Sequence, residues 1–462
     1  MMNNEIINNN KILEILSKTF NPDRARLKEI LHKAKAKKGL SLEETACLIN
    51  INDKELENEM FEIAARIKDE IYGERLVFFA PLYVSDHCVN DCEYCNFHIR
   101  NKTILRAKLS SEKIQEQVEF LINAGHKRVL LEFGEDPLNN PIDYIIDTIN
   151  KIYSVQTEKG NIRRINVNIA ATTKENYFRL KQAKIGTYQL FQETYHFPTY
   201  KKLHIGPKAD YLRQLYAHNN AFESGLDDLG LGVLFGLYDW RFEVLAIMSH
   251  AEYMNKKYGI GPHTISVPRF QTGQTIKYEP EYKVSDENFL KLIAILRISV
   301  PYTGIIISTR ENSEIRSTAF KIGVSQASAG SVASPGGYGK KSSQPQFEIH
   351  DKRSLRQIIE TVLDDKLLPS FCTACYRLGR TGEAFMAISK HGDIHNFCRP
   401  NGILTFAEYL EDFADDKLDD KLYKKGSEVI TFYLNKIENE SMRNKTKERL
   451  ARIKHGERDL YF

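Results

Sequence analysis

Residues 76–95 read LVFFAPLYVSDHCVNDCEYC, a short apolar run followed closely by three cysteines. The run 76–80 has the length and apolar character of a strand that is buried on both faces. Cys88, Cys92 and Cys95 then follow in a CX3CX2C spacing, on the loop after that strand. Structural zinc sites and electron-transfer clusters normally recruit four protein ligands, so three thiolates leave one metal position open for chemistry. The spacing therefore predicts a catalytic metal cluster, and a structural zinc loop completed by His87 or His98 is the alternative.

Seven further strand candidates follow this first strand, and helical patterns separate nearly all of them. They are 128–133, 164–170, 187–191, 228–236, 264–269, 303–308 and 324–329. Eight short apolar strands over about 250 residues predict an α/β protein with a complete (β/α)8 TIM barrel, and a doubly wound sheet is the alternative. The loops after barrel strands form the active site, so the cysteine loop is placed for catalysis.

Three regions are expected along the chain. Residues 1–74 carry helical periodicity, 75–334 form the barrel, and 335–462 form a mostly helical C-terminal domain with a second cysteine group. A stretch rich in Gly, Ser and Pro, SPGGYGKKSSQPQ at 334–346, marks the second boundary.

Composition excludes several classes of protein. The chain has 462 residues, 42% of them hydrophobic, and a net charge of +4 from 65 basic and 61 acidic residues. This balance gives no signal for nucleic acid or a membrane surface. The polar start MMNNEIINNN is no signal peptide, and no apolar run approaches the roughly 18 residues of a membrane span, so a cytoplasmic protein is expected. Seven cysteines, six of them in two groups of three, argue for metal binding rather than disulfides, and Cys47 is expected to be buried and inert.

The second cysteine group is Cys372, Cys375 and Cys398, with a CX2CX22C spacing. It again offers three ligands. A zinc knuckle completed by His391 or His395 is one interpretation, and an auxiliary iron–sulfur cluster with an open iron is the other.

The first cysteine group resembles that of the radical S-adenosylmethionine (SAM) superfamily. Tyr94 stands just before the third cysteine, where that superfamily prefers an aromatic residue. Strand 2 runs into a loop that resembles the superfamily's GGEP segment, with Gly134, Glu135 and Asp136. The resemblance implies a 4Fe-4S cluster whose open iron chelates SAM and cleaves it to a 5'-deoxyadenosyl radical. Two polar residues at the ends of strands 3 and 4 are candidates to touch SAM or substrate, with rim hydrogen bonding as the alternative: Asn168 and Glu193.

The two cysteine groups together resemble the tyrosine-lyase family of FeFe-hydrogenase maturases (HydG). Segments along nearly the whole chain carry this likeness: APLYVS, GEDPLNNPIDYI, RRINVNIAATT, LFQETYH, GVLFGL, GPHTISVPR, VPYTG, PSFCTACYR and GERDLYF. The resemblance implies cleavage of the Cα–Cβ bond of L-tyrosine to p-cresol and dehydroglycine. At a second 4Fe-4S cluster, dehydroglycine would yield CO and cyanide for the hydrogenase H-cluster. His263 matches the family's ligand to an extra iron beside that cluster. The implied partners are an electron donor such as flavodoxin or ferredoxin and the other hydrogenase maturases.

The sequence departs from this family in two segments that barrel loops should turn toward the substrate. Phe270–Gln274 replaces a stretch that carries arginine and acids, and Val332 replaces an arginine; Asn96 also stands where glycine is frequent. Arginine is the natural bidentate partner of an amino-acid carboxylate. The substrate contacts are therefore expected from other residues, for which the candidates are Arg269, Gln271 and Ser331.

These departures keep alternative functions open. One is a paralogue that acts on another amino acid. A second is a 2-iminoacetate synthase of thiazole biosynthesis, which performs the same cleavage but should lack the second cysteine group. The non-enzyme alternative is a scaffold or carrier of iron–sulfur clusters.

Overall fold

The computed structural model describes residues 4–340, 344–390, 392–414 and 420–462. The N-terminal region consists of helices α1 (Asn9–Lys18), α2 (Arg24–Ala34), α3 (Leu42–Ile49) and α4 (Lys54–Tyr72). Each begins after a polar residue whose side chain accepts a hydrogen bond from a backbone N–H of the first turn, which satisfies a group that has no helical partner. The helical region predicted for residues 1–74 therefore contains four helices.

The barrel is built from eight parallel strands. They are β1 (Arg75–Ser85), β2 (Arg128–Phe133), β3 (Arg164–Asn168), β4 (Tyr188–Gln189), β5 (Leu229–Gly232), β6 (Thr264–Ser266), β7 (Gly304–Ile307) and β8 (Gln326–Ser328). Each strand pairs with the next, and β1 pairs with both β2 and β8, so the sheet closes. The predicted complete barrel is confirmed and the doubly wound sheet is wrong.

Helices cover the outside of this sheet. They are α5 (Ser111–Asn123), α6 (Ile142–Ser154), α7 (Lys174–Gln182), α8 (Phe197–Leu203), α9 (Tyr211–Leu215), α10 (Ala217–Glu223), α11 (Trp240–Tyr258), α12 (Asp286–Ser299) and α13 (Ser313–Ile322), with one 3-10 turn at Pro207–Ala209. The N-terminal helix α4 packs against α12 and α13, and α3 packs against α11, so the extension extends the outer layer. None of the helices formed by the described residues is both long and apolar enough to cross a membrane.

The C-terminal region adds a ninth strand that the sequence did not indicate. It contains α14 (Leu355–Asp364), β9 (Leu368–Ser370), α15 (Ala374–Arg377), α16 (Gly382–Lys390), α17 (His395–Phe413), α18 (Lys421–Asn435) and α19 (Glu440–Lys454). Strand β9 pairs in parallel with the first residues of β1, before the pairing of β1 with β2 begins. The segment after β9 therefore lies at the amino-terminal ends of the barrel strands, opposite to the loop that carries the first cysteine group.

Candidate active site

The first cysteine group lies at the carboxyl-terminal mouth of the barrel, just after β1. Cys92 is buried, and Cys88 and Cys95 are half-buried. Burial, and then the neighbouring Cys88 thiol, raise the pKa of Cys95 to about 11. Burial also raises the pKa of Cys92 well above its usual range, and the other two thiols raise it further. Three buried thiols that oppose each other's ionisation fit a site where a positively charged metal centre stabilises the thiolates.

The separation of the three thiols is compatible with the cluster that the resemblance implies. No three His, Cys, Asp or Glu side chains in the described parts of the chain converge closely enough to hold one ion. A four-iron cluster binds each thiolate at a different iron, so its ligands do not have to meet at one point. His98, which could have completed a zinc site, instead places Nδ1 3.0 Å from Asp91 Oδ1.

The loop after β2 approaches the cysteine loop very closely. A Cβ atom on Gly134 would lie 2.3 Å from the His87 carbonyl oxygen and 3.0 Å from Cys88 Cβ, so only glycine fits there. The Val89 N–H donates to the Glu135 carbonyl at 2.8 Å. Asp136 accepts hydrogen bonds from the N–H groups of Leu138 and Asn139 within its own turn. Gly134 and Glu135 are thus beside Cys88, while the Asp136 carboxylate stabilises the turn.

The Glu135 carboxylate belongs to a polar network behind the cysteine loop. It accepts hydrogen bonds from Asn90 Nδ2 at 2.6 Å and from Arg213 at 2.6 Å. Lys208 Nζ lies 2.6 Å from Glu193 Oε1, and both side chains are partly buried. Charge-assisted hydrogen bonds of this length hold side chains in one geometry. The sequence analysis missed Asn90, Lys208 and Arg213 because they lie on the cysteine loop, the 3-10 turn and α9, and the turn and α9 are far from that loop in sequence.

A cavity opens inside the barrel next to Cys95. It brings together four of the nine predicted contacts to SAM and substrate with three residues that the sequence did not single out; its polar lining includes Tyr94, Glu132, Asn168, Gln189, Glu193, Arg310 and Ser331. The Ser331 hydroxyl is buried and has no hydrogen-bond partner among the described residues. An unpartnered buried hydroxyl facing a cavity fits a polar ligand.

Arg310 and Glu132 both line this cavity. Burial raises the pKa of Glu132 to about 8, and Arg310 opposes this rise. The Arg310 guanidinium lies 3.3 Å from the ring centroid of Phe347, and Arg310 is the third residue after Ile307, which ends β7. Its position after a barrel strand is the signal that could have identified it from the sequence.

The structure does not bring Arg269 or Gln271 to the cavity, so we do not retain these two substrate candidates. The Arg269 guanidinium forms ion pairs with Glu311 and, at 2.7 Å, with Asp286, and it donates to the Val284 carbonyl at 2.9 Å. These partners occupy the hydrogen-bonding fork that a substrate carboxylate would need. Val332, at the position of the second absent arginine, packs against the hydrophobic core.

Two departures from the family contact each other. The Asn96 side chain accepts a hydrogen bond from Thr275 Oγ1 at 2.5 Å and donates to the Pro345 carbonyl at 2.8 Å. A Cβ on Gly273 would lie 3.2 Å from Asn96 Cβ. Asn96, which follows Cys95, therefore connects the cysteine loop to the substituted segment after Arg269.

The second cysteine group lies at the opposite, amino-terminal end of the barrel. Cys372, Cys375 and Cys398 line a separate cavity, and His263, the residue before β6, lines it as well. Cys398 Sγ lies 3.1 Å from an Arg75 nitrogen, and Arg128 donates to the Cys372 carbonyl at 3.1 Å. Three distant stretches of sequence thus meet in one site.

Electrostatics in this second cavity fit an anionic or metal-bearing group. Buried guanidinium nitrogens of Arg75 and Arg128 have no hydrogen-bond partner among the described residues, although such groups normally have one. Burial, and then the Cys398 and Cys372 thiols, raise the pKa of Cys375 to about 12. Burial lowers the pKa of His263, which keeps the imidazole neutral and able to bind a metal.

The histidines of the zinc-knuckle alternative are not part of this cavity as described. His395 Nδ1 bonds to the Gly392 carbonyl at 2.6 Å, and His391 lies outside the described residues.

His263 places Nε2 3.2 Å from the Tyr376 hydroxyl and Nδ1 3.6 Å from Asp228 Oδ2. A carboxylate on the far side of an imidazole is the usual means of orienting a metal-binding histidine.

Comparisons with known proteins agree with this geometry. The Radical SAM superfamily model matches residues 82–248, and the Biotin and Thiamin Synthesis associated domain matches residues 265–367. A 2-iminoacetate synthase of Salmonella typhimurium is 29% identical over 328 residues, which are 69% of this chain and 84% of that protein. A crystal structure of HydG, a maturase of the [FeFe]-hydrogenase, is 51% identical with a TM-score of 0.95, over 99% of this chain and 100% of that one. The chain belongs to the HydG family.

A second HydG structure, from Carboxydothermus hydrogenoformans, is 40% identical with a TM-score of 0.84, over 96% of this chain and 97% of that one. Membership of the HydG family and the superfamily match make the chain a radical SAM enzyme that uses a 4Fe-4S cluster and SAM. The scaffold interpretation is therefore set aside. Within this HydG-family chain, the substituted segment at 270–274 and Val332 remain the local departures.

Proposed function

We propose that the chain cleaves the Cα–Cβ bond of L-tyrosine to p-cresol and dehydroglycine, and converts dehydroglycine to CO and cyanide for maturation of an FeFe-hydrogenase. The observation that carries the proposal is the pair of cysteine-lined cavities at the two ends of one barrel. The 51% identity to a HydG maturase supports it. A 2-iminoacetate synthase would need the first cavity alone, so the second cavity favours the maturase.

In the first cavity, Cys88, Cys92 and Cys95 would hold the SAM-cleaving cluster, and bound SAM would supply the radical that starts the reaction. Tyr94 and the Gly134–Glu135 loop lie beside these thiols and are proposed to contact SAM. Asn168 and Glu193 line the adjoining wall. A ligand bound against this wall would displace water from the reacting atoms.

Arg310 is proposed to bind the carboxylate of the amino-acid substrate. Its side chain is half-buried, lines the cavity and stacks on Phe347, and it forms no ion pair within the described residues. Bidentate binding of a carboxylate fixes orientation as well as affinity. Two further polar contacts are available. The Ser331 hydroxyl has no partner among the described residues, and the Glu132 carboxyl, because its pKa is raised, is protonated near neutral pH and can donate a hydrogen bond.

In the second cavity, Cys372, Cys375 and Cys398 would hold a second 4Fe-4S cluster, and His263 would bind the extra iron that leaves with its CO and cyanide ligands. Neutral imidazole is a suitable iron ligand, and Asp228 and Tyr376 are placed to orient it. Arg75 and Arg128 place positive charge beside the thiols and are proposed to stabilise anionic groups there. The proposed protein partners are a low-potential electron donor and the other hydrogenase maturases.

A second candidate is cleavage of an amino acid other than tyrosine. The observation in its favour is the loss of both family arginines, because Phe270–Gln274 and Val332 carry no side chain able to replace them.

The deciding experiment is anaerobic turnover of the reconstituted enzyme with SAM, dithionite and L-tyrosine, assayed for 5'-deoxyadenosine, p-cresol and CO. All three products support the maturase function. Deoxyadenosine without p-cresol would contradict tyrosine as the substrate and favour the second candidate.

A further inference from the structure

The outer rim of the first cysteine loop carries an unusual concentration of exposed aliphatic side chains. Ten large hydrophobic side chains are exposed among the described residues, and half of them lie on segments that contact this loop: Ile99, Leu105, Leu138, Ile205 and Leu212. Leu105 is 90% exposed and Leu138 is 87% exposed. Exposed aliphatic residues are unremarkable when scattered, but their grouping on one face marks an interaction surface.

Hydrogen bonds show that these side chains surround one loop. The Ile99 N–H donates to the Asn90 carbonyl at 2.8 Å, and the Asp91 N–H donates to the Ile205 carbonyl at 2.9 Å. On the Leu138 side, Asn140 Nδ2 donates to the His87 carbonyl at 3.1 Å. Leu105 precedes Arg106, whose guanidinium donates to three carbonyls of the cysteine loop and its flanks, and Leu212 precedes Arg213, which binds Glu135.

The part of the loop that reaches this face is the Cys88 corner. His87, Cys88 and Val89 are three consecutive half-buried residues. Cys92 is buried, and Cys95 lines the inner cavity. A cluster held by these thiols would therefore come nearest to solvent at Cys88.

Exposed lysines border the same face. They are Lys102, Lys108, Lys201 and Lys202, and their ammonium groups pair with no carboxylate in the described parts of the chain. Among the nearby acids, Asp91 and Glu93 share Arg100, and Glu135 pairs with Arg213. Asp136 and Asp210 accept hydrogen bonds within their own turns and form no ion pair in the described parts of the chain, and the four lysines outnumber them. The border therefore presents an excess of positive charge around an aliphatic centre.

We propose that this face, which we call the electron-entry face, docks a small acidic electron-transfer protein whose redox group lies at an apolar surface patch. This inference rests on the proposed function, since it assumes that the cluster at Cys88 must be reduced for each turnover. Electron-transfer encounters use small interfaces, and complementary charge at the rim increases their association rate. The aliphatic centre aligns the partner over Cys88, and the lysines select for an acidic one.

The test uses the full-length reconstituted enzyme with SAM and L-tyrosine. The rate of 5'-deoxyadenosine formation is measured against the concentration of a purified acidic ferredoxin kept reduced, and separately with dithionite. Leu138→Asp and Lys102→Glu each alter the electron-entry face. Phe178→Asp is the matched control, because Phe178 is 52% exposed on the outer helix α7.

We expect Leu138→Asp and Lys102→Glu to raise the half-saturating ferredoxin concentration by about tenfold and to leave the dithionite-driven rate unchanged. Phe178→Asp should change neither rate. Raising the salt concentration from about 50 to about 500 mM should weaken only the ferredoxin-driven reaction, because it screens the lysines.

Three results would overturn the inference. They are an unchanged ferredoxin dependence in both variants, an equal loss with dithionite, or a change of oligomeric state that identifies a second copy of this chain as the occupant. If the unmodified enzyme forms no deoxyadenosine even with dithionite, the proposed function fails instead. Direct titration of ferredoxin binding to the unmodified protein and to Leu138→Asp still tests the electron-entry face in that case.

Discussion

At the scale of single residues, the arginine available to bind the substrate carboxylate differs from those that the family resemblance implies. The arginines that the family resemblance implies within 270–274 and at 332 are absent, and the nearby Arg269 pairs with Glu311 and Asp286. Arg310 is the arginine that lines the cavity. A guanidinium that pairs with carboxylates of the protein stabilises the fold, whereas one that faces a cavity is free to bind a ligand.

Arg310→Gln should therefore weaken substrate binding. Loss of a charge-assisted hydrogen bond to a buried carboxylate costs about 1.5–3 kcal/mol, which corresponds to roughly a 10- to 100-fold rise in the KM for tyrosine. The matched control is Arg269→Gln, which should lower thermal stability with little effect on KM. Steady-state p-cresol formation and thermal unfolding separate the two, and a normal KM in Arg310→Gln would exclude its role in substrate binding.

Glu132 should make the stability of the metal-free protein depend on pH. Burial raises its pKa to about 8, so the folded state retains a proton that the unfolded state releases above about pH 4.3. The folded state then binds more protons, and the free energy of unfolding should fall as the pH rises from about 5 to about 8.

Glu132→Gln removes this group and should flatten that pH dependence. Thermal unfolding of the metal-free protein at several pH values is the measurement. An equally steep decline in the variant would mean that another group is responsible.

At the scale of elements, the loop after β2 and the cysteine loop after β1 depend on each other. Parallel pairing of β1 and β2 brings their carboxyl ends together, and Gly134 lets the two loops touch. The sequence predicts the similarity of residues 134–137 to the GGEP segment, whereas the contact of this loop with His87 and Cys88 follows from the register of β1 and β2.

Gly134→Ala should displace the cysteine loop. The added Cβ would overlap the His87 carbonyl, and overpacking of this kind costs about 1–3 kcal/mol. We expect lower iron content at the first site after reconstitution and slower SAM cleavage. Gly259→Ala is the control, because no atom lies within 4 Å of the added Cβ and only the positive φ of that helix end is strained. Equal iron content in the two variants would contradict this account.

At the scale of the whole molecule, the barrel separates two sites with different chemistry. Inward-facing residues alternate along β1, so that Val77 lines the second cavity and Phe79, Pro81 and Tyr83 line the first. Phe79, Leu130 and Ile306 form a small apolar cluster within the barrel. Strand β9 adds to β1 and delivers Cys372 to the far end.

This separation predicts that the two cysteine groups can be disabled independently. Cys375→Ala should retain p-cresol formation and lose CO, whereas Cys92→Ala should lose both together with SAM cleavage. Product assays after anaerobic reconstitution provide the measurement. Retention of CO in Cys375→Ala would show that the second cavity is not where CO forms.

The sequence by itself determined the features that depend on local pattern. Short apolar strands separated by helical periodicity predicted the closed barrel, and the spacing of Cys88, Cys92 and Cys95 after the first strand predicted where the catalytic loop lies. Segment likeness indicated the family, which the comparisons confirmed.

The tertiary structure decided which distant residues meet. Burial by the barrel distinguished Arg310, which lines the cavity, from Arg269, which is paired, because ion pairing depends on neighbours far away in sequence. Arg75, His263 and Cys398 meet because barrel closure brings β1 near β6 and α17 packs against β9 and β1. The aliphatic rim around Cys88 likewise comes from separate loops, so no local pattern could predict it. Local pattern fixes an element's type, whereas a site is fixed by the packing that brings those elements together.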